Sequence, residues 1–430
     1  MMRILIILRS AWRNDNNTGN TMTDIFAGHD NFEIYSLCMR DQAPQNDLAL
    51  RNFAVSEQQL FRNIMHKARN GRITEGICND NAEDVEQAKR EKKIYDSAKK
   101  THSFLLEYVR EALWSLGGWK NENLRRYIQE VSPDIIFMPV FWCLYPFKIL
   151  RYIQKYTNAP VVLFHSDDNY TLRHFSLNPL FWLYRFRLRH YVRGAVRNSA
   201  ANYVISDVQK QEYEKAFGVP CKILTKSADF SQPPCFKNVY NIPLQMVFTG
   251  NIGTNRWKTL ALIASELRKI NLDGTKAELR IYTATPLTEK MKKALDIDGV
   301  SYLMGTVPAS EIPRIQSEAD VLVHVEAMDL KNRLAVRQSF STKIVDYLSA
   351  ARPIFAVGPR DVASVSCLAE HDAAIVASNK KEVAEKLTQL TENPSLCAEY
   401  AQKAWQLGKQ KFEQSIVQPS FFADMESLIN

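Results

Sequence analysis

Residues 338–359 of this 430-residue chain read QSFSTKIVDYLSAARPIFAVGP. Two hydroxyls, Ser341 and Thr342, stand directly before Lys343 and a short amphipathic run that carries Asp346. Ser341 or Thr342 is placed to cap a helix, where free backbone N–H groups and the positive end of the helix dipole gather. Such a helix start suits a phosphate or diphosphate, to which the hydroxyls and Lys343 add donors. Asp346 lies about one turn further in, where a carboxylate can accept two hydrogen bonds from a ribose diol. An ordinary helix cap explains the same residues, and the local sequence does not separate the two.

Two further stretches carry chemistry. Residues 246–260, MVFTGNIGTNRWKTL, run from a strand through Gly250, Asn251 and Gly253 to the cations Arg256 and Lys258. The glycines let backbone approach a ligand closely. The spacing matches neither the dinucleotide fingerprint nor the P-loop, and a plain strand-to-helix turn is the competing reading. Residues 161–172, VVLFHSDDNYTL, end a strand in His165, Asp167 and Asp168. His165 can orient a hydroxylic substrate, and either aspartate can take a proton from a hydroxyl. A structural histidine at a strand end is the alternative.

The elements that must hold these residues are short, continuous apolar runs alternating with helical stretches. Strands are expected at 3–9, 32–38, 134–140, 160–166 and 201–207, and again at 245–250, 277–283, 300–305, 320–326, 353–358 and 373–377. Most are apolar throughout, as strands buried on both faces of a parallel α/β sheet are. The proline-rich segment 231–243 separates the sets. The organisation expected is a domain over 1–235 with a helical insertion at about 53–130, a second domain over 240–408, and a C-terminal helix over 409–430 that crosses back to the first. Within the insertion, apolar positions 104, 105, 109, 112, 113 and 116 have a helical period, ended by Gly117 and Gly118. The fold class is α/β, with two doubly wound domains facing each other across a cleft and ligands at the carboxyl ends of the strands.

Composition narrows the function classes. Hydrophobic residues make up 46% and charged residues 24%, the balance of a globular protein. No apolar run approaches the roughly 18 residues a membrane span needs, and the short run at 4–8 reads as a buried strand rather than a leader, which points to the cytoplasm. The seven cysteines form no CxxC pair, so neither a zinc site nor a disulfide framework is expected. The formal net charge of +8 fits an anionic small molecule, an anionic membrane surface or nucleic acid. Residues 181–197, FWLYRFRLRHYVRGAVR, hold five arginines, five aromatics and no acid. They suit the inner face of a membrane, where basic and aromatic side chains meet headgroups. A partly buried helix with solvated arginines is the other reading, and no recognised nucleic-acid module is present. The one Asp-x-Asp, at 296–298, stands before a glycine and a strand and reads as a turn.

The second half resembles the GT-B glycosyltransferases, most closely the large retaining family 4 and its bacterial surface-polysaccharide members. FTGNIGTNRWKTL is similar to the family's strand, Gly-Asn loop and basic residues, and TKIVDYLSAARPIFAVGP to its Lys-x-x-acid-Tyr-Leu run. The resemblance implies a nucleotide-sugar donor held by Asn251, Gly253, Arg256, Lys258, Ser341, Thr342, Lys343 and Asp346, with Asp346 on the ribose. The family's first acidic position falls on Gln338, a departure at the sugar contact, and Glu326, at the end of an expected strand and so at the cleft this fold implies, is the candidate to replace the missing acid. Gly19, in the loop after the first strand, falls where the family approaches donor phosphates or acceptor, and His165 where it faces the reacting sugar. The activity implied is sugar transfer to an acceptor hydroxyl with retained configuration and without a metal or other cofactor, on a glycan or lipid-linked acceptor in capsule, O-antigen or exopolysaccharide synthesis. A nucleotide-sugar epimerase or hydrolase, or a non-catalytic nucleotide- or membrane-binding partner subunit, are the alternatives.

Overall fold

The computed structural model describes residues 1–13, 17–28, 31–40, 45–66, 71–75, 104–393 and 395–429. Their contacts divide into two compact units, one of Met1–Leu172, Ser176–Leu224 and Ser420–Asn430, the other of Arg173–Phe175 and Thr225–Pro419. The passage between units therefore precedes the proline-rich segment 231–243, which lies within the second unit.

The first unit is built on eight strands: β1 (Met2–Leu8), β2 (Phe32–Cys38), β3 (Ala49–Ala54), β4 (Arg72–Glu75), β5 (Ile135–Pro139), β6 (Val161–His165), β7 (Ala201–Val204) and β8 (Lys222–Ile223). Their order is β4-β3-β2-β1-β5-β6-β7-β8. Every pairing is parallel except β3 with β4. β5 and β6 are buried at every residue, which is why they are apolar throughout.

The region expected as a helical insertion, about 53–130, also holds the short strand β4, and β3 ends at its start. The helices Glu57–His66, Phe104–Leu116 and Glu122–Val131 do lie there, but β3 adds to the sheet edge on β2. Its sequence, ALRNFA, hides the strand because Arg51 and Asn52 interrupt the apolar run. The polarity is absorbed inside: Ser36 Oγ donates to Asn52 Oδ1, and Tyr127 Oη lies 3.0 Å from the carbonyls of both Ser36 and Arg51. The start of the expected helix at 96–103 lies outside the described residues.

The second unit is built on six parallel strands, β9 (Leu244–Thr249), β10 (Ala277–Tyr282), β11 (Ser301–Gly305), β12 (Val321–Val325), β13 (Ile354–Val357) and β14 (Ile375–Ala377). The order is β11-β10-β9-β12-β13-β14. Winding runs outward from β9 to β11, then returns to β12 on the other side of β9. The β9/β12 junction is thus the topological switch point, where doubly wound sheets bind ligands. The first sheet has its own at β1/β5.

The last helix, Gln414–Ser427, carries Pro419 where the contacts pass from the second unit back to the first. Beyond it, Phe421 packs on Phe137 and Tyr203 with ring centroids 6.0 and 5.3 Å apart, and Phe422 on Phe32 at 5.2 Å. Asp424 accepts from Tyr203 Oη at 2.9 Å and pairs with Lys222 at 2.5 Å. No described helix is long and apolar enough to cross a membrane.

Candidate functional site

At the switch point of the second sheet, the loop after β9 meets the loop after β12. Arg256, the first residue of the helix Arg256–Ile270, reaches across to Glu326, the residue after β12. Nε and Nη2 of Arg256 donate to the two carboxylate oxygens at 2.9 and 3.1 Å, a bidentate fork that orients the guanidinium. Thr259 Oγ1 donates to the Glu326 carbonyl at 2.8 Å, and Ser364 Oγ donates to the carboxylate at 3.5 Å. His324 Nε2 lies 3.3 Å from the same serine and 3.7 Å from the same carboxylate. Burial, with the charges of Arg256 and Lys343, lowers His324 to about 3, so it stands here as a neutral ring. Glu326 is therefore enclosed by four neighbours and holds Arg256.

Lys343 comes from the opening motif. Its side chain lies against Gly250, whose φ is 137°, and 5.4 Å from the ring centroid of Phe248. A Cβ at Gly250 would collide with Lys343 Nζ. The glycine expected to admit a ligand thus admits a lysine. Desolvation lowers Lys343 to about 8, helped by the Arg256 charge and opposed by Glu326 and Asp346. Asp346 stands in the first turn of the helix Lys343–Ser349, about a third exposed, and accepts from Lys226 Nζ at 2.6 Å. Lys226 belongs to no motif, and a pairing across 120 positions leaves no signal in the sequence.

The remaining donor candidates fall around this group. Asn251 Oδ1 accepts from Gly253 N at 2.6 Å and from Thr285 Oγ1 at 3.3 Å, closing the glycine loop on itself. A Cβ at Gly253 would come within 2.8 Å of that oxygen. Lys258 is exposed, 5.8 Å from the Trp257 ring centroid, outside the Arg256–Glu326–Lys343 cluster. Thr342 occupies the N-cap with helical backbone angles and no side-chain cap bond, and the helix it opens has only seven residues. Ser341 and Thr342 are half-buried; the expected N-cap position is taken by Thr342, without a side-chain bond. Gln338 is fully buried in the turn before them. Asp296 to Gly299 is a turn, with Gly299 at φ 66° and Leu303 N donating to Asp296 Oδ1 at 3.3 Å.

In the first unit, Gly19 sits in the first turns of the helix Asn17–Phe26 rather than in a loop. A Cβ there would strike the carbonyl of Arg13, so the glycine permits a tight return of its own chain. His165 ends β6 fully buried, edge-on to the Tyr213 ring at 5.1 Å. Burial lowers it to about 4, with Asn202 acting in the opposite direction, and neither ring nitrogen has a hydrogen-bond partner. A neutral imidazole in this state can donate from one nitrogen and accept at the other.

The two aspartates separate. Asp168 is buried in a salt bridge with Arg185 at 2.8 Å, both side chains essentially unexposed. The same Asp168 oxygen accepts from Tyr170 N and Thr171 N at 3.0 and 2.7 Å, and the other from Thr171 Oγ1. Both oxygens of Asp168, expected with Asp167 as a proton acceptor, are thus engaged by its own loop and by Arg185. Asp167 is exposed. Arg185 lies on the basic helix Pro179–Arg197 and also donates to the Thr171 and Asp168 carbonyls. Arg189 donates to the Tyr170 carbonyl and Arg193 to its hydroxyl at 3.0 Å. Three of the five arginines thus brace residues 168–171.

No protein-family model and no curated protein matches the sequence. Solved structures do match in shape. HepE from Anabaena, solved in complex with UDP, aligns with a TM-score of 0.63 at 13% identity, over 99% of this chain and 100% of that one. Sucrose-phosphate synthase from Thermosynechococcus elongatus aligns at 0.64 and 8% identity, over 100% and 99%. The apo structure of OtsA aligns at 0.58 and 10% identity, over 99% of each chain. At these identities the likeness is one of fold, and the fold of this chain is GT-B, with two Rossmann-like domains.

Proposed function

We propose that this chain is a nucleotide-sugar-dependent glycosyltransferase. The observation that carries the reading is the group at the β9/β12 switch point: Arg256 aimed by Glu326, Lys343 under-solvated behind Gly250, and Asp346 partly exposed beside them. Two fixed cations with a carboxylate a turn away suit a nucleoside diphosphate, its phosphates on Arg256 and Lys343 and its ribose diol on Asp346. HepE, of the same fold, has been solved with UDP and with UDP-glucose.

In the reaction proposed, an acceptor hydroxyl attacks the anomeric carbon, the bond from that carbon to the diphosphate oxygen breaks, and the hydroxyl proton passes to the departing phosphate on the same face. Configuration is retained. Arg256 and Lys343 neutralise the charge that grows on the leaving diphosphate, the task a metal performs elsewhere.

The acceptor proposed is a glycan or lipid-linked saccharide of surface-polysaccharide synthesis, met at an anionic membrane. The helix Pro179–Arg197 supports this on a narrower face than its composition suggests. Arg187, Arg193 and Arg197 are exposed on this helix, as are Leu180, Leu183 and Phe186, and the neighbouring helix Phe104–Leu116 exposes Leu105, Val109 and Leu116. Leu183→Glu with Phe186→Glu is expected to abolish co-sedimentation with vesicles containing anionic lipid while leaving nucleotide binding intact.

The experiment that tests the activity is a thermal-shift panel of UDP, GDP, ADP, TDP and CMP, followed by turnover of the matching nucleotide-sugar with and without acceptor. A ligand at a hundred times its Kd stabilises the native state by about 2.7 kcal/mol. One nucleotide raising Tm, with turnover that needs acceptor, is the expected result. Turnover without acceptor identifies an epimerase or hydrolase, and no shift with any nucleotide identifies a non-catalytic subunit.

A further inference from the structure

We propose that Lys226 is a donor-site positioning residue, which sets the Asp346 carboxylate in the orientation that receives the ribose diol. The inference rests on the nucleotide site proposed above and adds to it a residue with no motif around it.

The pair is built by three elements. Lys226 lies just past β8, between buried Thr225 and Ser227. Two residues on, Ala228 forms a parallel bridge to Glu413: its N–H donates to the Phe412 carbonyl and its own carbonyl accepts from Gln414 N, both at 2.9 Å. Phe230 fills the notch at Gly408, where a Cβ would strike its ring. The same Gly408 also faces Leu348 Cβ, with 3.1 Å for such a Cβ, and Leu348 shares its helix with Asp346. The backbone of Lys226 and the helix of Asp346 are therefore both registered against the helix Ser395–Lys411.

A half-exposed ion pair contributes roughly 0–1 kcal/mol to stability, so this one matters little to the fold. Its consequence is orientation. An ionised carboxylate has about four lone-pair sites. Lys226 takes one of them, on Oδ1, and holds the plane of the group. A side chain fixed before the ligand arrives need not be ordered on binding, and that saving appears as affinity.

The test is titration of UDP and 2′-deoxy-UDP, or the same pair for whichever base the wild type selects, into wild type, Lys226→Met, Lys226→Arg, Asp346→Ala and the double variant Lys226→Met/Asp346→Ala. Lys226→Met is expected to weaken the ribonucleotide about tenfold, with Tm unchanged and kcat retained at saturating donor. It should leave the 2′-deoxynucleotide unaffected and add nothing in the Asp346→Ala background, because the lysine acts through that carboxylate. Lys226→Arg should recover most of the affinity. Equal loss for both nucleotides, additivity with Asp346→Ala, or no loss at all overturns the proposal while the nucleotide site stands. A wild type that binds no nucleotide overturns the site, and this inference with it.

Discussion

The ends of the central strands in the two units use charge in opposite ways. Past β6, Asp168 and Arg185 are paired out of reach of solvent, and His165 is neutral beside them. Past β9 and β12, Arg256, Lys343 and Asp346 keep part of their surface exposed, although each has a charged neighbour. The first pattern builds a scaffold, since a buried pair stripped of one member leaves an uncompensated charge. The second suits the nucleotide site proposed, since partly exposed cations oriented by acids can still meet an anion. Neither sign nor residue type distinguishes the two; exposure does.

The contrast breaks most sharply at Arg185. Arg185→Ala is expected to destabilise the protein by about 3–5 kcal/mol in denaturant unfolding, the cost of orphaning a buried carboxylate. Asp167→Ala, one residue from that carboxylate, should move stability by less than about 0.5 kcal/mol. Comparable losses in the two would erase the division between scaffold and exposed aspartate.

Next in size is Lys343→Ala, which should weaken nucleotide binding by about 10- to 100-fold, the loss of a charged hydrogen bond of about 1.5–3 kcal/mol. Gly250→Ala should weaken it comparably, because the added methyl evicts the lysine. Both are read by titration calorimetry, and a Gly250→Ala variant that binds normally would show that the glycine does not serve Lys343.

A smaller effect is set by pH. The folded pKa of Lys343, about 8, lies below its unfolded value of 10.5, so the ammonium opposes folding. Stability of the ligand-free protein should rise as pH climbs from about 8 to 10.5, while nucleotide affinity falls over the same climb as the cation is lost. Lys343→Arg should bind without that decline. At the acid end, His165 at about 4 and His324 at about 3 are held below their usual 6.5. They should cost stability as pH falls below 6.5, because the unfolded chain takes up protons the native rings refuse. Smallest of all, Lys258→Ala should shift nucleotide affinity by no more than a few-fold, since it stands outside the cluster.

Some of this could be read along the chain. The apolar runs at 161–165, 321–325 and 354–357 announce doubly buried strands, because burial on both faces admits nothing else. The order of strand, glycine loop and basic helix start, and of hydroxyls, Lys343 and Asp346, is written in consecutive residues and marks where to look. The sequence alone thus determined the two-sheet class and the neighbourhood of the site.

Which residues complete that site, only the tertiary structure decided. Arg256 meets Glu326 across 70 positions and Lys226 meets Asp346 across 120. Local periodicity carries no trace of either pair, because each depends on the order in which strands enter the sheet and on how loops return to the switch point. The same limit holds for single side chains. Asp167 and Asp168 are identical in type and adjacent in sequence, and only the approach of Arg185 from a helix 17 residues away makes one of them scaffold. The arginines of residues 181–197 look alike in sequence, yet Arg185 is buried against Asp168 while Arg189 and Arg193 reach Tyr170 from partly exposed and exposed positions. Side-chain chemistry is local, but exposure is a property of the packed chain, and here exposure separates a binding group from a structural one.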